Sequence, residues 1–419
     1  MKRYVFFCEV AYSYPILRPL QDEIRRRGDE VCWFLEKDCP NLLDKSERLL
    51  LTIRDVIAYK PLAIFSAGNY IYDFFPGVKV KVFHGYPVNK RNLPTDNHFR
   101  LRGWHDLLCT SGPNSTLPFQ HLSEEYGYFK VYETGWVKAD LYAHAMQKAE
   151  AEEQAAEQTD SSAIAGVRYE QVETTVASSP QTQGKSLQVH GKSSQMSAND
   201  LQASGYCSQD YGSRPQTSDK PLSRYSNRPV RILYGATFSK NITSAPVMAP
   251  VIERMANEKP WHWLLTLHPL TAPDVRQQYI DLAKRLPNVE YKESVSPQDM
   301  MQTDVLLCDS SSIIVEYMLL NKPVVTYRNT QPGPHLIDVK ELGDIPAAIE
   351  TALTRPQKQM TAIKEYIALR EAHLDGHNCE RVLDAVDDFV LNYQGRLTPK
   401  PRNLFRKLKL RLRLHYFHI

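Results

Sequence analysis

Short apolar runs rich in β-branched and aromatic residues recur along the chain as far as Tyr142, and amphipathic stretches separate most of them. Residues 4–9 (YVFFCE), 29–36 (DEVCWFLE), 61–68 (PLAIFSAG), 78–85 (VKVKVFHG), 106–112 (DLLCTSG) and 129–135 (FKVYETG) read as strands. Residues 15–27 (PILRPLQDEIRRR) carry helical spacing, and Gly28 ends them. Strands and helices in alternation predict a parallel sheet covered by helices on both faces.

The pattern stops after Tyr142 and returns at Val230. Between them, over 146–228, Ser, Gln, Thr, Gly, Ala and short charged residues dominate, and bulky apolar side chains show no period. Such a segment cannot bury enough surface to offset its ordering entropy, so it reads as a disordered insert or linker. A regulatory or partner-binding role is the alternative to a tolerated insertion.

The second alternating stretch is cleaner. RILYGAT (231–237), WHWLLTLHP (261–269), VEYKES, DVLLCDSS (304–311) and PVVTY (323–327) read as strands. Residues 243–258, 272–286, PQDMMQ and SIIVEYMLLN read as the helices between them, and 345–353, 357–372 and 379–393 as helices that follow. The expected architecture is therefore α/β, with two Rossmann-like domains, 1–145 and 229–395, facing a cleft. In open parallel sheets ligands bind at the carboxyl ends of the strands.

Polar residues at those ends are the candidates. His84-Gly85 closes VKVKVF and leads into Lys90, so an imidazole stands on a basic loop where the backbone can come close to a ligand. His268-Pro269 closes HWLLTL, and the proline keeps the histidine out of a helix. Asp309, Ser310, Ser311 and Ser312 close DVLLC and open the next helix, a place suited to phosphate, although N-capping uses the same residue types. Glu316 follows Ser312 by one turn and could hold a ribose or base, or face solvent. Gly235 and Thr237 close the first strand of the second domain; the small residue admits a ligand and the hydroxyl offers a hydrogen bond.

Several chemistries lack their signatures. No G-x-x-x-x-G-K-[ST], G-x-G-x-x-G, H-E-x-x-H or G-x-S-x-G occurs. The seven cysteines form no CxxC pair, which fits a reducing, cytoplasmic compartment and no zinc site. Glu9 interrupts the first apolar run, so a buried strand is expected there, not a secretory leader.

At these residues the sequence resembles the CDP-glycerol glycerophosphotransferase family, the teichoic-acid primases and polymerases. The family's HGTP-type loop looks like His84-Gly85-Tyr86-Pro87 with Lys90, and its His-Pro like His268-Pro269. Its D-Y-S-S turn, acidic helix residue and basic-Pro pair look like Asp309–Ser312, Glu316 and Lys322-Pro323. Two departures remove cations. Phe238-Ser239 stands where the family often has Trp-Arg, and Thr266-Leu267 precedes the His-Pro where a basic residue is common.

The resemblance implies a GT-B fold and transfer of a glycerol-phosphate or related polyol-phosphate unit from a CDP-activated donor. An acceptor hydroxyl, lipid-linked or on a glycan, attacks the β-phosphorus, and CMP departs; the product is a surface glycopolymer of teichoic-acid type made in cell-envelope biosynthesis. His84 would act as base and His268 on the diphosphate, with Lys90, Gly85, Gly235, Thr237, Asp309–Ser312 and Glu316 around the donor. No cofactor beyond the donor and no metal is expected. A sugar transferase or nucleotide-sugar epimerase, or a non-catalytic nucleotide-binding relative, fits the same scaffold.

Net charge is only +3, but 396–419 hold eight Lys or Arg and no acidic residue, with Leu404, Leu408 and Leu412 at helical spacing. A basic amphipathic segment of this kind predicts contact with an anionic membrane through 402–419, on the inner face of the cytoplasmic membrane. The LKLRLRL run also alternates at period two, and a solvated tail is the plainer alternative. Nucleic acid is not expected, because no reading motif accompanies the charge.

Overall fold

The computed structural model describes residues 1–86, 99–169 and 228–417. Strands β1 (Arg3–Cys8), β2 (Glu30–Leu35), β3 (Ala63–Ser66), β4 (Val78–Lys81), β5 (Leu107–Thr110) and β6 (Lys130–Glu133) form one parallel sheet in the order β2-β1-β3-β4-β5-β6. Helices α1 (Tyr14–Arg26), α2 (Ile53–Tyr59), α3 (Pro113–Tyr126) and α4 (Ala139–Tyr169) lie between or after them.

A second parallel sheet contains β7 (Val230–Ala236), β8 (Trp261–Leu267), β9 (Val289–Tyr291), β10 (Val305–Cys308), β11 (Val324–Tyr327) and β12 (Ile337–Val339), in the order β12-β11-β10-β7-β8-β9. Its helices are α5 (Ala245–Glu258), α6 (Pro273–Arg285), α7 (Pro297–Met301), α8 (Ile313–Leu319), α9 (Ile345–Leu353) and α10 (Gln357–Ala368). Then come α11 (Asn378–Asn392) and α12 (Leu404–Leu414).

The strands are apolar on both sides because both faces of each sheet are covered. In β1, Tyr4, Phe6 and Cys8 enter one core while Val5 and Phe7 enter another, as the period of two requires. Local signals set the helix starts: α2 and α7 each open with a capping box, Thr52 with Asp55 and Ser296 with Asp299.

Three expectations need correction. Helix α4 runs to Tyr169, well past Met146. Residues 147–158 (QKAEAEEQAAEQ) are strong helix formers, so propensity carries the helix on where no apolar face remains to pack. The rest of the expected insert, 170–227, lies outside the described residues. Strand β12 went unread, being three residues without a clear period.

The third correction concerns α11, expected within a second domain ending at 395. Its Val382, Leu383, Val386 and Phe389 join the core that holds Phe6, Val80 and Leu107 of the first sheet. Arg27 of the first sheet's side donates to Asp384 at 2.8 Å, and the Asp140 carboxylate accepts the Asn378 and Cys379 N–H groups at 2.9 and 2.8 Å. By contacts the chain divides into Met1–Gln147 with Pro215–Ile419, and Lys148–Arg214. Of the latter, residues 148–169 are described, as part of α4.

Candidate active site

Register decides what meets at the edge of the second sheet. Ala236 pairs with Leu267 and Gly235 with Cys308, so Thr237 and His268 leave β7 and β8 level with each other, and Asp309 leaves β10 one residue earlier, beside Ala236. The strand order reverses between β7 and β10, which is where a doubly wound sheet opens a crevice for ligand.

His268 is exposed and its ring stacks on Phe238, centroids 4.1 Å apart. Its Nδ1 accepts the Leu270 N–H at 3.1 Å. The neutral ring therefore carries its proton on Nε2, which acts as a donor. Arg276 on α6 reaches back to this turn, donating from Nη2 to the His268 carbonyl at 3.2 Å and the Pro269 carbonyl at 2.5 Å. Its Nη1 pairs with Glu293 at 3.4 Å, so Arg276 braces the turn that carries His268.

Asp309 does not face ligand. It is fully buried; Oδ1 accepts the Thr237 N–H at 2.9 Å, and Oδ2 accepts the Ser244 N–H and hydroxyl at 2.8 and 3.0 Å. Its carboxylate fixes the loop after β7 and the start of α5, which corrects its expected place among donor-binding groups. Gly235 is corrected too. A Cβ there would meet Ile313 Cδ1 at 3.3 Å, so its smallness admits the first residue of α8, not a ligand. Thr237 is buried, with its N–H spent on Asp309.

The serines fan outward from Asp309. Ser310 is buried and accepts the Thr330 N–H at 2.9 Å, Ser311 is half-buried, and Ser312 is exposed. Ser310 and Ser311 border a pocket of about 180 Å³ with Gln331, His335, Tyr366 and Arg370. His335 stacks on Tyr366 at 3.8 Å, and the Arg370 guanidinium lies 3.4 Å from the same ring centroid. Burial, then Arg370, lowers the His335 pKa to about 4, so the ring is neutral near pH 7. Arg370 is itself desolvated, and its Nε is buried without a hydrogen-bond partner. Hydroxyls, an amide, an aromatic stack and one guanidinium suit a nucleotide. His335, Tyr366 and Arg370 were missed in the sequence, where they pass for loop and helix-face residues.

Glu316 is not free to hold a ribose. Its Oε2 accepts from Lys138 Nζ at 2.5 Å and from the Tyr142 hydroxyl, so it ties α8 to the α4 side of the first sheet.

His84 stands exposed after β4 with its ring 5.4 Å from that of Tyr12. Phe83 has φ of 56° and Gly85 of 154°, so the backbone reverses sharply around it. Anchors hold both sides: Trp136 Nε1 donates to the Phe83 carbonyl at 3.3 Å, and the buried Tyr86 hydroxyl donates to Glu371 at 2.6 Å. Lys90 lies outside the described residues.

Glu9 was passed over in the sequence. It ends β1 beside β3, where the first sheet's strand order reverses. Its carboxylate accepts the Asn69 and Tyr70 N–H groups at 3.3 and 3.1 Å. It sits directly on Gly68, where a Cβ would fall 1.5 Å from Oε2. Burial pushes its pKa up to about 7. Among the described residues, no three His, Cys, Asp or Glu are placed to hold a metal ion, and no helix is long and apolar enough to cross a membrane.

Two Rossmann-like parallel sheets, with histidines at their carboxyl edges and the Ser310–Arg370 pocket on the second, define a GT-B-like architecture. Residues 226–332, about a quarter of the chain, match the family described as CDP-Glycerol:Poly(glycerophosphate) glycerophosphotransferase. The fold is that of the wall teichoic acid polymerase TagF, at TM-score 0.55 and 11% identity over 93% of this chain and 89% of that one. A TagF variant soaked with CDPG matches at TM-score 0.52 and 12% identity, over 92% and 89% of the two chains. A putative UDP-N-acetylglucosamine 2-epimerase from Listeria monocytogenes shares the fold at TM-score 0.51 and 11% identity, over 96% and 98%. No curated protein sequence matches.

Proposed function

We propose that the protein transfers a glycerol-phosphate or related polyol-phosphate unit from a CDP-activated donor to an acceptor hydroxyl of a lipid-linked or glycan chain, releasing CMP. The observation that carries this reading is the family match over 226–332, which holds His268 and the Ser310–Ser311 turn, together with the pocket that Ser310 and Ser311 share with Arg370. In it the nucleotide occupies the His335–Tyr366–Arg370 pocket. The diphosphate lies toward Ser311, Ser312 and the Nε2–H of His268, groups already oriented where charge develops.

His84, on the facing sheet edge, takes the acceptor proton. The acceptor oxygen then bonds to the β-phosphorus as the bond to the CMP oxygen breaks. Arg370 compensates for a cation missing from the local motifs. The reaction takes place at an anionic membrane surface, on the cytoplasmic side, with α12 as the contact.

A thermal-shift screen of the full chain with CDP-glycerol, CDP-ribitol, UDP-sugars and CMP-sugars, followed by CMP release with an acceptor, tests the reading. Stabilisation by a cytidine donor with turnover supports it. Stabilisation by UDP-sugars alone moves the protein to the epimerase or glycosyltransferase reading, and binding without turnover on any acceptor to a non-catalytic one.

A further inference from the structure

Helix α12 presents two different faces. One packs on the first sheet: Leu410 is buried in the core of Val5, Phe7 and Trp104, Lys407 and Arg411 pair with Asp73 at 3.5 Å, and Tyr416 stacks on Phe74. The other points away. Leu404, Leu408 and Leu412 recur every four residues and, with Phe405, stay 54–89% exposed. A helix that needed only to complete the first domain would carry polar residues there.

Between α12 and the segment before β5 opens a cavity of about 390 Å³, bordered by Arg100, Arg102, Arg406, Lys409 and Arg413. Trp104 and Leu410 supply an apolar lining. Of the five cations, only Arg413 has a carboxylate partner among the described residues, Glu36 at 3.2 Å. Arg102 donates to the neutral Asn69 amide oxygen at 3.2 Å, and Arg406 to the Arg102 carbonyl at 3.5 Å. Burial and then the neighbouring Arg100 and Arg406 charges lower the Arg102 pKa, with the Glu9 carboxylate opposing them in part.

Cations gathered with fewer counter-charges than their number repel, and an anion with several oxygens relieves that repulsion; guanidinium forks match phosphate oxygens in pairs. The apolar lining and the adjacent exposed leucines call for a ligand that is greasy beside its charge. We propose that this cavity binds the phosphate of an anionic bilayer lipid, with Leu404, Phe405, Leu408 and Leu412 set in the interfacial layer. The site rests on the membrane-surface reading above and gives it a defined location. A nucleic acid would use the charge but leave the apolar stripe in water.

Flotation of the full chain with vesicles of equal phosphatidylglycerol and phosphatidylcholine, against phosphatidylcholine alone, tests this. Arg406→Ala with Lys409→Ala removes two cavity cations. Lys284→Ala with Lys358→Ala removes the same charge elsewhere. The wild type should bind only the anionic vesicles. The cavity variant should partition at least about tenfold more weakly, at an unchanged melting temperature, with the control within about twofold of wild type. Millimolar glycerol phosphate should not compete. Equal loss in both variants, or displacement by glycerol phosphate, would overturn the lipid site while leaving membrane contact standing. Absence of any vesicle binding would overturn both.

Discussion

The Tyr86 hydroxyl donates to Glu371 at 2.6 Å, and this bond joins the loop that carries His84 to the segment that carries Arg370. Glu371 is buried and also accepts the Trp136 N–H, at 3.2 Å, so it is a shared anchor for both edges of the site. Tyr86→Phe should cost about 1–2 kcal/mol of stability, read by urea unfolding, because one buried acceptor loses its donor. Turnover should fall further than donor affinity, since the loosened loop is the one holding the histidine.

His84→Ala and His268→Ala should each lower CMP release at least about a hundredfold, with far-ultraviolet circular dichroism unchanged. The two positions should then separate. Glutamine can place a donor near the site of His268 Nε2, so His268→Gln should recover about tenfold over the alanine variant. His84→Gln should recover nothing, because an amide cannot take the acceptor proton.

Asp309→Asn turns one acceptor oxygen into an NH2 group facing N–H donors of Thr237 or Ser244. A stability loss of about 1–3 kcal/mol is expected in thermal or urea melts. Donor-induced stabilisation should disappear with it, since the loop after β7 is no longer pinned.

Arg370 is a desolvated cation with a buried, unpartnered Nε. Arg370→Met should leave the ligand-free protein about as stable as wild type, because a half-buried cation held by the Tyr366 ring and carbonyl, with no carboxylate partner among the described residues, is replaced by an apolar side chain of similar length. The thermal shift with CMP or CDP-glycerol should be lost. A variant that melts lower yet keeps the shift would show the arginine to be structural.

Glu9 supplies a pH test. Its folded pKa, raised by burial to about 7, lies above the ordinary carboxyl value, so the folded state binds the proton more tightly. The stability it contributes is full below about pH 4 and is lost as pH rises through about 7. Melting temperature followed from pH 4 to 8 should fall less steeply in Glu9→Gln than in the wild type. Parallel profiles would remove Glu9 as the cause.

The strand ends were legible in the sequence because apolar runs stop abruptly at His84, His268 and Asp309, and a strand end in a parallel sheet is a place for chemistry. What those residues do there was less legible. Asp309 and Glu316 carry the residue types of a ligand site, yet their partners, Ser244 and Lys138, come from distant parts of the chain. Tyr366 follows the spacing of α10 and Arg370 lies just past its end, and neither gives a sign that it borders a pocket. Glu9 looked like a break in a strand, and its place over Gly68 exists only once β1 and β3 pair. In the tail, LKLRLRL fits two periods. Leu410 and Leu414 packing on the first sheet selects the helix.

The return of α11 to the first sheet has a consequence for how the molecule is made. Domains usually fold in turn as they leave the ribosome. Here Val382, Leu383, Val386 and Phe389 line a core begun by Phe6, so the first sheet stays partly uncovered until nearly the whole second domain has been synthesised. The order of assembly is thereby inverted: the half made first is closed last, and a chain that stops short of α11 leaves β4 and β5 without the helix that packs on them.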